Sequence, residues 1–456
     1  MKSINPNNKP VLLLVLTIFF LMLMYYIPKD ITVFGIKLKQ VDLFMDVKPD
    51  SLLDFSAKQN NNEELFASLF PVVFSDADKN QPLSTSPQVG IKNVPLSGNV
   101  NQMSFFFNEL KNSKSKQIRV AHYSDSGNEG DMMTMDIRQL LQNQFGGKGV
   151  GFLSITAQDI TFRTTTKHSF SKDWKTVSVL YGKDKNIPFG LNGFTSVPEG
   201  NSWVQYQAGG TTEGSKSFKT VKVFYTNAKA SSLKYQFDDD PEKTVKLETG
   251  SGVKRLILNA NGNKTKFKLT ASEGLAHFFG VSLEDGNGVL VDNFAWRGNT
   301  GVSFRDIPDD IKKGFSKDEN YKLFIIQFGA NMLEAGKVDY TWYRNQMVKA
   351  INEMKTAFPQ ASFLLIGIGD RGFKRGSKII SDPGIPVMIE WQKKIVDETG
   401  IAFYDSFEAM GGEGSMVEWV NAGLGTKDYG HMNNEGNKKK GEMIAKAIID
   451  AYKKFK

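Results

Sequence analysis

Residues 118–145 read IRVAHYSDSGNEGDMMTMDIRQLLQNQF and combine three local patterns. Ile118–Tyr123 is apolar-rich and typical of a buried strand, Ser124–Asp131 is a polar turn, and Met132–Phe145 has helical spacing. A strand, a tight turn and a helix in this order expose a turn side chain above an α/β sheet. The sequence therefore predicts an exposed hydroxyl at Ser126, where a helix N-terminus favours developing negative charge. An ordinary loop with a serine N-cap is the alternative.

A second stretch of this kind begins at Leu323. Leu323–Phe328 is typical of a buried strand, and Gly329, Ala330 and Asn331 follow it. The Asn331 amide is a candidate donor to an oxyanion, and a cap of the next turn is the alternative reading of this residue.

Strands and helices alternate from residue 118 to residue 145 and again from Leu323 to the end of the chain. Helices are predicted at 102–111, 341–358, 392–398 and 435–454, and strands at 362–368 and 401–404. We expect Phe105 and Trp342 on the buried sides of the first two helices. This alternation predicts an α/β fold, a doubly wound parallel sheet with its site at the carboxyl ends of the strands.

The alternation of strands and helices is interrupted between these two regions. Short alternating segments at 176–181, 202–206, 220–225 and 254–258 are separated by clusters of Gly, Asn and Asp. Regular short strands with turns predict a β-sandwich or jelly roll, inserted into one loop of the α/β domain. We expect Trp174 and Trp203 in its core, with stacking on a sugar as the alternative.

A further motif, Asp428-x-x-His431, stands just before the last predicted helix. The chain has 4 histidines, and the other three have no carboxylate in a comparable position. A serine hydrolase needs an imidazole whose second nitrogen is held by a carboxylate. Asp428 and His431 fit that pair, and a surface turn with a helix cap is the alternative. Asp370 is a second candidate carboxylate, for which we expect a loop salt bridge with Arg371 or Arg375.

Composition excludes several kinds of chemistry. The 456 residues include no cysteine, so thiol nucleophiles, disulfides and zinc–thiolate sites are excluded. The formal net charge of +8 suits anionic surroundings such as cell-wall polymers or a membrane face. No basic stripe with interleaved aromatic residues points to nucleic acid. We expect the three lysines at 438–440 to form a solvated helix face.

The N-terminus indicates export. Lys2 and Lys9 flank an apolar run, Val11–Ile27, that carries no charge. This length is about the minimum for crossing a bilayer, and the flanking charges favour a cytoplasmic N-terminus. No small-residue cleavage site follows, which favours an uncleaved signal anchor over a cleaved signal peptide. We therefore expect the rest of the chain in the cell envelope, on the periplasmic side of the inner membrane, or secreted if the anchor is cleaved.

Four blocks of the sequence together resemble the SGNH (GDSL-type) hydrolases. They are Tyr123–Ser126, Gly301, Gly329–Asn331 and Asp428–His431, and they occur in the order of that family. The residues around Ser126, from Asp125 to Thr134, resemble more narrowly the bacterial peptidoglycan O-acetylesterases. In that subfamily a β-sandwich similar to a carbohydrate-binding module interrupts the hydrolase domain.

The resemblance covers most of the chain beyond about residue 101, and it implies a domain plan with a flavodoxin-like hydrolase sheet. The expected parts are a signal anchor at 1–28, a stalk or linker at 29–100, a first hydrolase part at 101–161, an inserted β-sandwich at 162–285 and a second hydrolase part at 286–456.

The resemblance also implies roles for five residues. Ser126 matches the nucleophile, His431 the general base and Asp428 the residue that orients it. The Ser126 and Gly301 backbone N–H groups and the Asn331 side chain match the oxyanion hole, with Gly298 as an alternative to Gly301.

Three residues depart from the family pattern. Ser124 replaces a glycine before the Asp-Ser pair, Met332 replaces an aspartate after the block-three asparagine, and Trp296 stands near the place of an asparagine. None of these changes removes an atom with an expected catalytic role.

The activity that the resemblance implies is removal of O-acetyl groups from cell-wall carbohydrate, peptidoglycan above all, through an acyl-serine. The expected partners are an acetylated glycan and, through the N-terminal helix, a membrane. No metal or organic cofactor is expected. Two alternatives remain: an O-acetyltransferase that uses the same acyl-serine, and a glycan-binding protein with a decayed site.

Overall fold

The computed structural model describes residues 32–33, 36–37, 89–230 and 232–455. The expected signal anchor and most of the expected stalk lie outside these residues. The chain divides into two compact units, 1–84 and 85–456. In the first, β1 (Thr32–Val33) and β2 (Ile36–Lys37) form an antiparallel pair. Within the described ranges, no helix is both long enough and apolar enough to cross a membrane.

The second unit begins with elements of an α/β layer. They are β3 (Ser97–Gly98), α1 (Ser104–Leu110), β4 (Gln117–Ser124) and α2 (Thr134–Phe145).

Eleven antiparallel strands follow in the middle of the chain. They are β5 (Lys148–Leu153), β6 (Thr166–Phe170), β7 (Trp174–Ser178), β8 (Phe194–Pro198), β9 (Ser202–Ala208), β10 (Phe218–Thr226), β11 (Ser232–Phe237), β12 (Lys243–Lys246), β13 (Lys254–Lys264), β14 (Lys266–Ala271) and β15 (His277–Asp285).

The α/β pattern then resumes and continues to the end of the chain. Its elements are β16 (Gly288–Ala295), α3 (Asp309–Asp318), β17 (Tyr321–Gln327), α4 (Thr341–Ala357), β18 (Ser362–Ile366), β19 (Gly372–Arg375), β20 (Lys378–Ser381), α5 (Gly384–Thr399), β21 (Ala402–Tyr404), α6 (Ser406–Met410), α7 (Ser415–Asn421) and α8 (Asn434–Lys454).

The α/β layer is built on a six-stranded sheet with the order β16-β4-β17-β18-β21-β3. The four pairings from β16 to β21 are parallel, whereas β3 is antiparallel to β21. The sheet is therefore mixed and mostly parallel, and the prediction of a wholly parallel sheet is wrong at this edge. Residues 97–98, expected in the stalk, instead cover the open edge of β21, where unpaired backbone groups would otherwise remain.

Helices cover both faces of this sheet because consecutive strand residues point to opposite sides. Val120, Leu323 and Leu364 share one core cluster with residues of α1, α2 and α8. Their neighbours Ala121, Phe324, and Phe363 belong to the other cluster, with residues of α3, α4 and α5. Burial on both faces explains why these strands read as nearly continuous apolar runs.

The middle strands form two antiparallel sheets. One has the order β13-β10-β15-β8-β7, with β5 also paired to β15, and the other has the order β12-β11-β14-β9-β6. β5 lies before residue 162 yet pairs with β15, so the domain boundary at that residue stays a prediction. Trp174 is buried in the core of these sheets, whereas Trp203 is partly exposed with the Lys268 ammonium over its ring.

Two aromatic residues expected on buried helix faces lie elsewhere. Phe105 is 42% exposed, and its neighbour Phe107 takes the buried place instead. Trp342 is 60% exposed at the start of α4, where Tyr343 is buried. The other residues expected on the buried sides of these helices, among them Phe106, Met347 and Ile351, are buried as predicted. Only the first residue of each stripe is misplaced, because side-chain spacing alone does not decide which of two adjacent aromatic residues is buried.

A buried ion cluster joins the two kinds of sheet. Arg119 of β4 is 1% exposed and donates to Asp292 of β16, Glu284 of β15 and Glu319 after α3. Lys222 of β10 adds a second cation to Glu284 and Glu319. The cluster fixes the strand that leads to Ser126 against its neighbours.

Candidate active site

Three of the predicted site residues lie in loops at the carboxyl edge of the parallel strands. Ser124 ends β4 and pairs in register with Ala295 of β16 and Gln327 of β17. The segments that carry Ser126, Gly301 and Asn331 all follow these three strand ends. Loops at the carboxyl ends of parallel strands are the usual place for an α/β active site.

Ser126 opens a 3₁₀ turn rather than a helix. The Asp125 side chain accepts a hydrogen bond from the Gly127 N–H at 3.0 Å and so caps the 3₁₀ segment Ser126–Asp131. Gly130, at φ 70°, interrupts this segment, and α2 begins only at Thr134. The helix thus starts close to the expected Met132, and the amides nearest Ser126 belong to the 3₁₀ turn rather than to the N-terminus of α2.

A buried polar network holds this turn from below. His122 bonds to Thr134 Oγ1 at 2.9 Å and to Gln327 Oε1 at 3.0 Å. Asn128 accepts hydrogen bonds from the Met133 and Thr134 N–H groups, so it caps the start of α2. Burial lowers the pKa of His122 to about 4, against a hydrogen bond to the Gln327 amide oxygen that favours the charged form of the histidine. His122 is thus a neutral positioning group.

Asp428 and His431 form a pair in the geometry that the motif predicts. The Asp428 Oδ2 atom lies 2.8 Å from His431 Nδ1, and its Oδ1 atom accepts from Thr426 Oγ1, Gly430 N and His431 N. Burial pushes the pKa of the Asp428 carboxyl up, but these hydrogen bonds outweigh it and hold that pKa well below its ordinary value. The carboxylate is therefore ionised and leaves His431 Nε2 free of this contact.

His431 and the Ser126 turn lie within electrostatic reach of each other. Burial raises the pKa of Asp125, whereas the Gly127 hydrogen bond and the charges of Lys440 and His431 lower it. The side-chain hydrogen bond of His431 in the described part of the chain goes to Asp428, and none joins its ring to Ser126. Catalytic hydrogen bonds of this kind are often long in the free enzyme and tighten when substrate binds.

Gly301 and Asn331 meet at one residue, Asn299. Asn331 Nδ2 donates to the Asn299 backbone oxygen at 2.9 Å, and Gly301 N donates to Asn299 Oδ1 at 2.8 Å. Because an amide NH2 has two hydrogens, Asn331 keeps one donor for a substrate. The Gly301 N–H, expected in the oxyanion hole, has an internal acceptor in this structure.

Position 301 requires a glycine, which separates it from Gly298. At φ 92°, a Cβ on Gly301 would lie 2.7 Å from the Phe328 ring and 3.0 Å from Met347 Sδ. A Cβ on Gly298 would meet no atom within 4 Å, although its φ of 76° also favours glycine. The close packing places Gly301, not Gly298, against the loop that follows β17.

Other charged residues near the edge are structural. Glu129 pairs with Arg297, and Asp131 accepts two hydrogen bonds from Arg138.

Within the described part of the chain, Asp370 makes no salt bridge of the expected kind. It is buried, accepts from Ser381 Oγ and Met416 N, and leaves Arg371 to pair with Asp382. The expectation failed because residues distant in sequence, in β20 and α7, offer neutral donors that a buried carboxylate can use.

Two further residues near the site escaped the sequence reasoning. Asn299 is fully buried; its signal was the Asn-x-Gly spacing typical of an Asx turn. Lys440 is partly buried, with its ammonium group beside Gly369, so it is not part of a solvated face. Its signal was a place four residues after the buried Gly436 and four before the buried Ile444.

A cavity of about 90 Å³ adjoins the Ser126 turn. It lies between the end of β16, the turn itself and the middle strands. Its walls mix aromatic and polar side chains, among them Glu129, Phe152, Arg163, Asn192 and Trp296. A cleft with a few polar groups on apolar walls suits a small polar ligand.

No protein-family model and no curated protein matches this chain. Among solved structures, a peptidoglycan O-acetylesterase superposes with a TM-score of 0.66 at 18% identity, covering 79% of this chain and 99% of that one. The chain therefore has the fold of a peptidoglycan O-acetylesterase, in line with the four sequence blocks.

Two carbohydrate esterases of family 2 also match, at much lower similarity. The enzyme of Corynascus thermopiles (Myceliophthora fergusii), with its carbohydrate binding domain, gives a TM-score of 0.28 at 14% identity and covers 62% of this chain and 99% of that one. The enzyme of Cellvibrio japonicus gives 0.27 at 10% identity and covers 64% and 99%.

Proposed function

We propose that this protein is a serine esterase that removes O-acetyl groups from cell-wall carbohydrate, with peptidoglycan as its substrate. The observation that carries the proposal is the Asp428–His431 pair, in which Asp428 Oδ2 lies 2.8 Å from His431 Nδ1. The place of Ser126 directly after the end of β4 supports it as the nucleophile. A carboxylate that holds one imidazole nitrogen leaves the other to act as a base. The shared fold with a peptidoglycan O-acetylesterase supports the choice of substrate.

The proposed chemistry is a two-step acyl transfer. Ser126 Oγ attacks the acetyl carbonyl while His431 Nε2 takes the hydroxyl proton, and that proton then passes to the departing sugar oxygen. Water, deprotonated by His431, attacks the acetyl-serine in the second step and releases acetate. Asp428 stabilises the imidazolium that forms in both steps.

The proposed oxyanion hole combines three donors. They are the Ser126 N–H, the Asn331 amide and the Gly301 N–H. Preorganised donors of this kind are each worth about 3 kcal/mol in enzymes where one has been removed. Asn331 is held in place by its hydrogen bond to Asn299, which supports its role as a fixed donor.

The substrate is proposed to extend from Ser126 towards the middle sheets. The polar side chains in the walls of the adjoining cavity, among them Arg163 and Asn192, support binding of a small polar part of the substrate there. We propose that the middle sheets form an inserted jelly roll of the carbohydrate-binding type and that the α/β layer is flavodoxin-like. Partly exposed Trp203 is a candidate stacking surface of that insert.

The proposed location is the cell envelope. The charge-free run Val11–Ile27, preceded by Lys2 and Lys9, supports an uncleaved anchor in the inner membrane, followed by a spacer. The formal net charge of +8 supports a location near anionic cell-wall polymers.

The test is hydrolysis of p-nitrophenyl acetate by the purified protein and by Ser126→Ala. We expect the variant to lose at least about a thousandfold in kcat/KM, because no other group replaces the nucleophile. Ser232→Ala, in β11, is the matched control and should keep full activity. Full activity of Ser126→Ala would contradict the assignment.

A second measurement separates hydrolysis from transfer. Acetate release from acetylated peptidoglycan is compared with and without an added glycan acceptor. We expect free acetate in both cases. Acetyl groups that appear mainly on the acceptor would instead identify an acetyltransferase that uses the same serine.

A further inference from the structure

Asn299 connects both side-chain and backbone parts of the proposed oxyanion hole. Its side chain is fully buried, and its Oδ1 atom accepts from Gly301 N at 2.8 Å and from Ser303 Oγ at 2.9 Å. Its backbone oxygen accepts from Asn331 Nδ2 at 2.9 Å. One residue thus contacts two of the three proposed donors.

The two donors are left in different states by these contacts. Asn331 has a second N–H to offer, so its bond to Asn299 only fixes its direction. A backbone amide has a single hydrogen, so Gly301 cannot make a full hydrogen bond to Asn299 and to a substrate oxygen together. The proposed oxyanion hole therefore lacks its third donor until the hydrogen bond between Gly301 and Asn299 breaks.

We propose that Asn299 is a latch on the oxyanion hole, which engages the Gly301 N–H in the free enzyme and releases it as the oxyanion forms. The inference rests on the proposed function, since it takes Gly301 as a donor to the acyl-transfer intermediate. It adds a residue that controls when that donor becomes available.

The charge of the acceptor decides whether the Gly301 N–H donates to Asn299 or to the substrate oxygen. A neutral amide oxygen and a neutral ester carbonyl are similar acceptors, so the substrate ground state has no advantage over Asn299. Hydrogen bonds to an ionised acceptor are roughly twice as strong as neutral ones, so the tetrahedral oxyanion outcompetes the amide. The Gly301 donor then acts mainly in the transition state, which is where a binding interaction accelerates the reaction.

The surroundings of Asn299 allow the exchange at low cost. Ser303 Oγ still donates to Asn299 Oδ1 when Gly301 leaves, so the buried carbonyl keeps a partner. The Asn299 Nδ2 atom is buried and has no hydrogen-bond partner within the described residues, so no bond on that side resists rotation of the amide. An unpaired buried donor is uncommon and marks this side chain as one with more than a packing role.

Two substitutions separate a latch from a purely structural residue. In Asn299→Ala the Gly301 N–H is free at all times, so we expect KM and the inhibition constant of acetate to fall about three- to tenfold, without a loss of kcat/KM. In Asn299→Asp a charged acceptor holds the amide more firmly, so we expect kcat/KM to fall at least about tenfold. Asn287→Ala, at the opposite end of β16, is the matched control.

A structural role predicts a different result. Both substitutions at position 299 would then lower kcat/KM and weaken acetate inhibition together. That outcome, or a rise of KM in Asn299→Ala, would overturn the latch.

The wild-type protein supplies a test that does not depend on the folding of variants. Methylboronic acid forms a tetrahedral anionic adduct with a nucleophilic serine, and the Gly301 amide resonance is recorded with and without it. We expect that resonance to shift on adduct formation because its acceptor changes. An adduct on Ser126 without this shift overturns the latch alone, whereas the absence of any adduct overturns the proposed function and the latch with it.

Discussion

Replacement of Asp428 by asparagine tests the orientation of the base. Asp428 Oδ1 accepts three hydrogen bonds, from Thr426, Gly430 and the His431 backbone, and Oδ2 faces His431 Nδ1. In Asp428→Asn the amide oxygen must therefore take the Oδ1 place, and the NH2 group must face Nδ1. A donor there forces the imidazole proton onto Nε2, and Nε2 can then no longer accept the Ser126 proton.

The loss of charge adds to this tautomer effect. Two unit charges 4 Å apart attract by about 1 kcal/mol in water and about 4 kcal/mol near a protein surface. The Asp428 and His431 side chains are both 54% exposed, so the lost stabilisation of the imidazolium lies between these limits. A loss of about 2–3 kcal/mol corresponds to roughly 30–150-fold in rate. With the wrong tautomer included, we expect kcat/KM to fall about 10²–10³-fold.

The assay is hydrolysis of p-nitrophenyl acetate over a range of pH, with circular dichroism and thermal unfolding as controls for the fold. Thermal stability should change little because the Oδ1 hydrogen bonds persist in the variant. Unchanged kcat/KM in a folded Asp428→Asn protein would refute the reasoning and move the orienting role to another residue.

Three further predictions concern stability and the glycine at the site. Burial holds the pKa values of His122 and His168 at about 4 against an ordinary 6.5, so the unfolded chain takes up more protons and stability falls as pH drops from about 6.5 towards 4. Each histidine should contribute about 3 kcal/mol at the acid end, measurable by urea unfolding, and His168→Gln should flatten this dependence. Arg119→Met leaves the buried Asp292 carboxylate without its cation and should lower the free energy of unfolding by about 3–5 kcal/mol, and a loss below about 1 kcal/mol would contradict a central role for the cluster. Gly301→Ala places a Cβ 2.7 Å from the Phe328 ring and should cost about 1–3 kcal/mol of stability and most of the esterase activity, whereas Gly298→Ala should leave more of that activity.

The secondary structure around the site was predictable because its signals are local. The strand, turn and helix at 117–145 each show their own periodicity, and the structure confirms β4 and α2 with bounds close to those expected. The conformation within the turn was not predictable, and α2 starts at Thr134 rather than at the expected Met132. Gly130 at φ 70° and the buried pair of Asp131 with Arg138 delay the start of α2, and both depend on packing against other segments.

The edge of the sheet shows the same limit. Nothing in the sequence near Ser97 and Gly98 predicts a strand, because two residues are too few to show the alternating pattern of a strand. They become one only where the edge of β21 offers unpaired backbone groups. The expected stalk therefore ends earlier in the described structure than the sequence suggests.

Asp428 and His431 could be predicted from the sequence alone, since a spacing of three residues within one loop brings carboxylate and imidazole together without help from the rest of the fold. The sequence also determined that Ser126 follows a buried strand. Only the tertiary structure decided which donors at that edge are free. The bond from the Gly301 N–H to Asn299 Oδ1 lies within one loop, but the Asn331 side chain donates to the Asn299 backbone oxygen across loops that follow different strands. That contact depends on the register of β16 and β17 in the folded sheet, which residue spacing along the chain cannot specify.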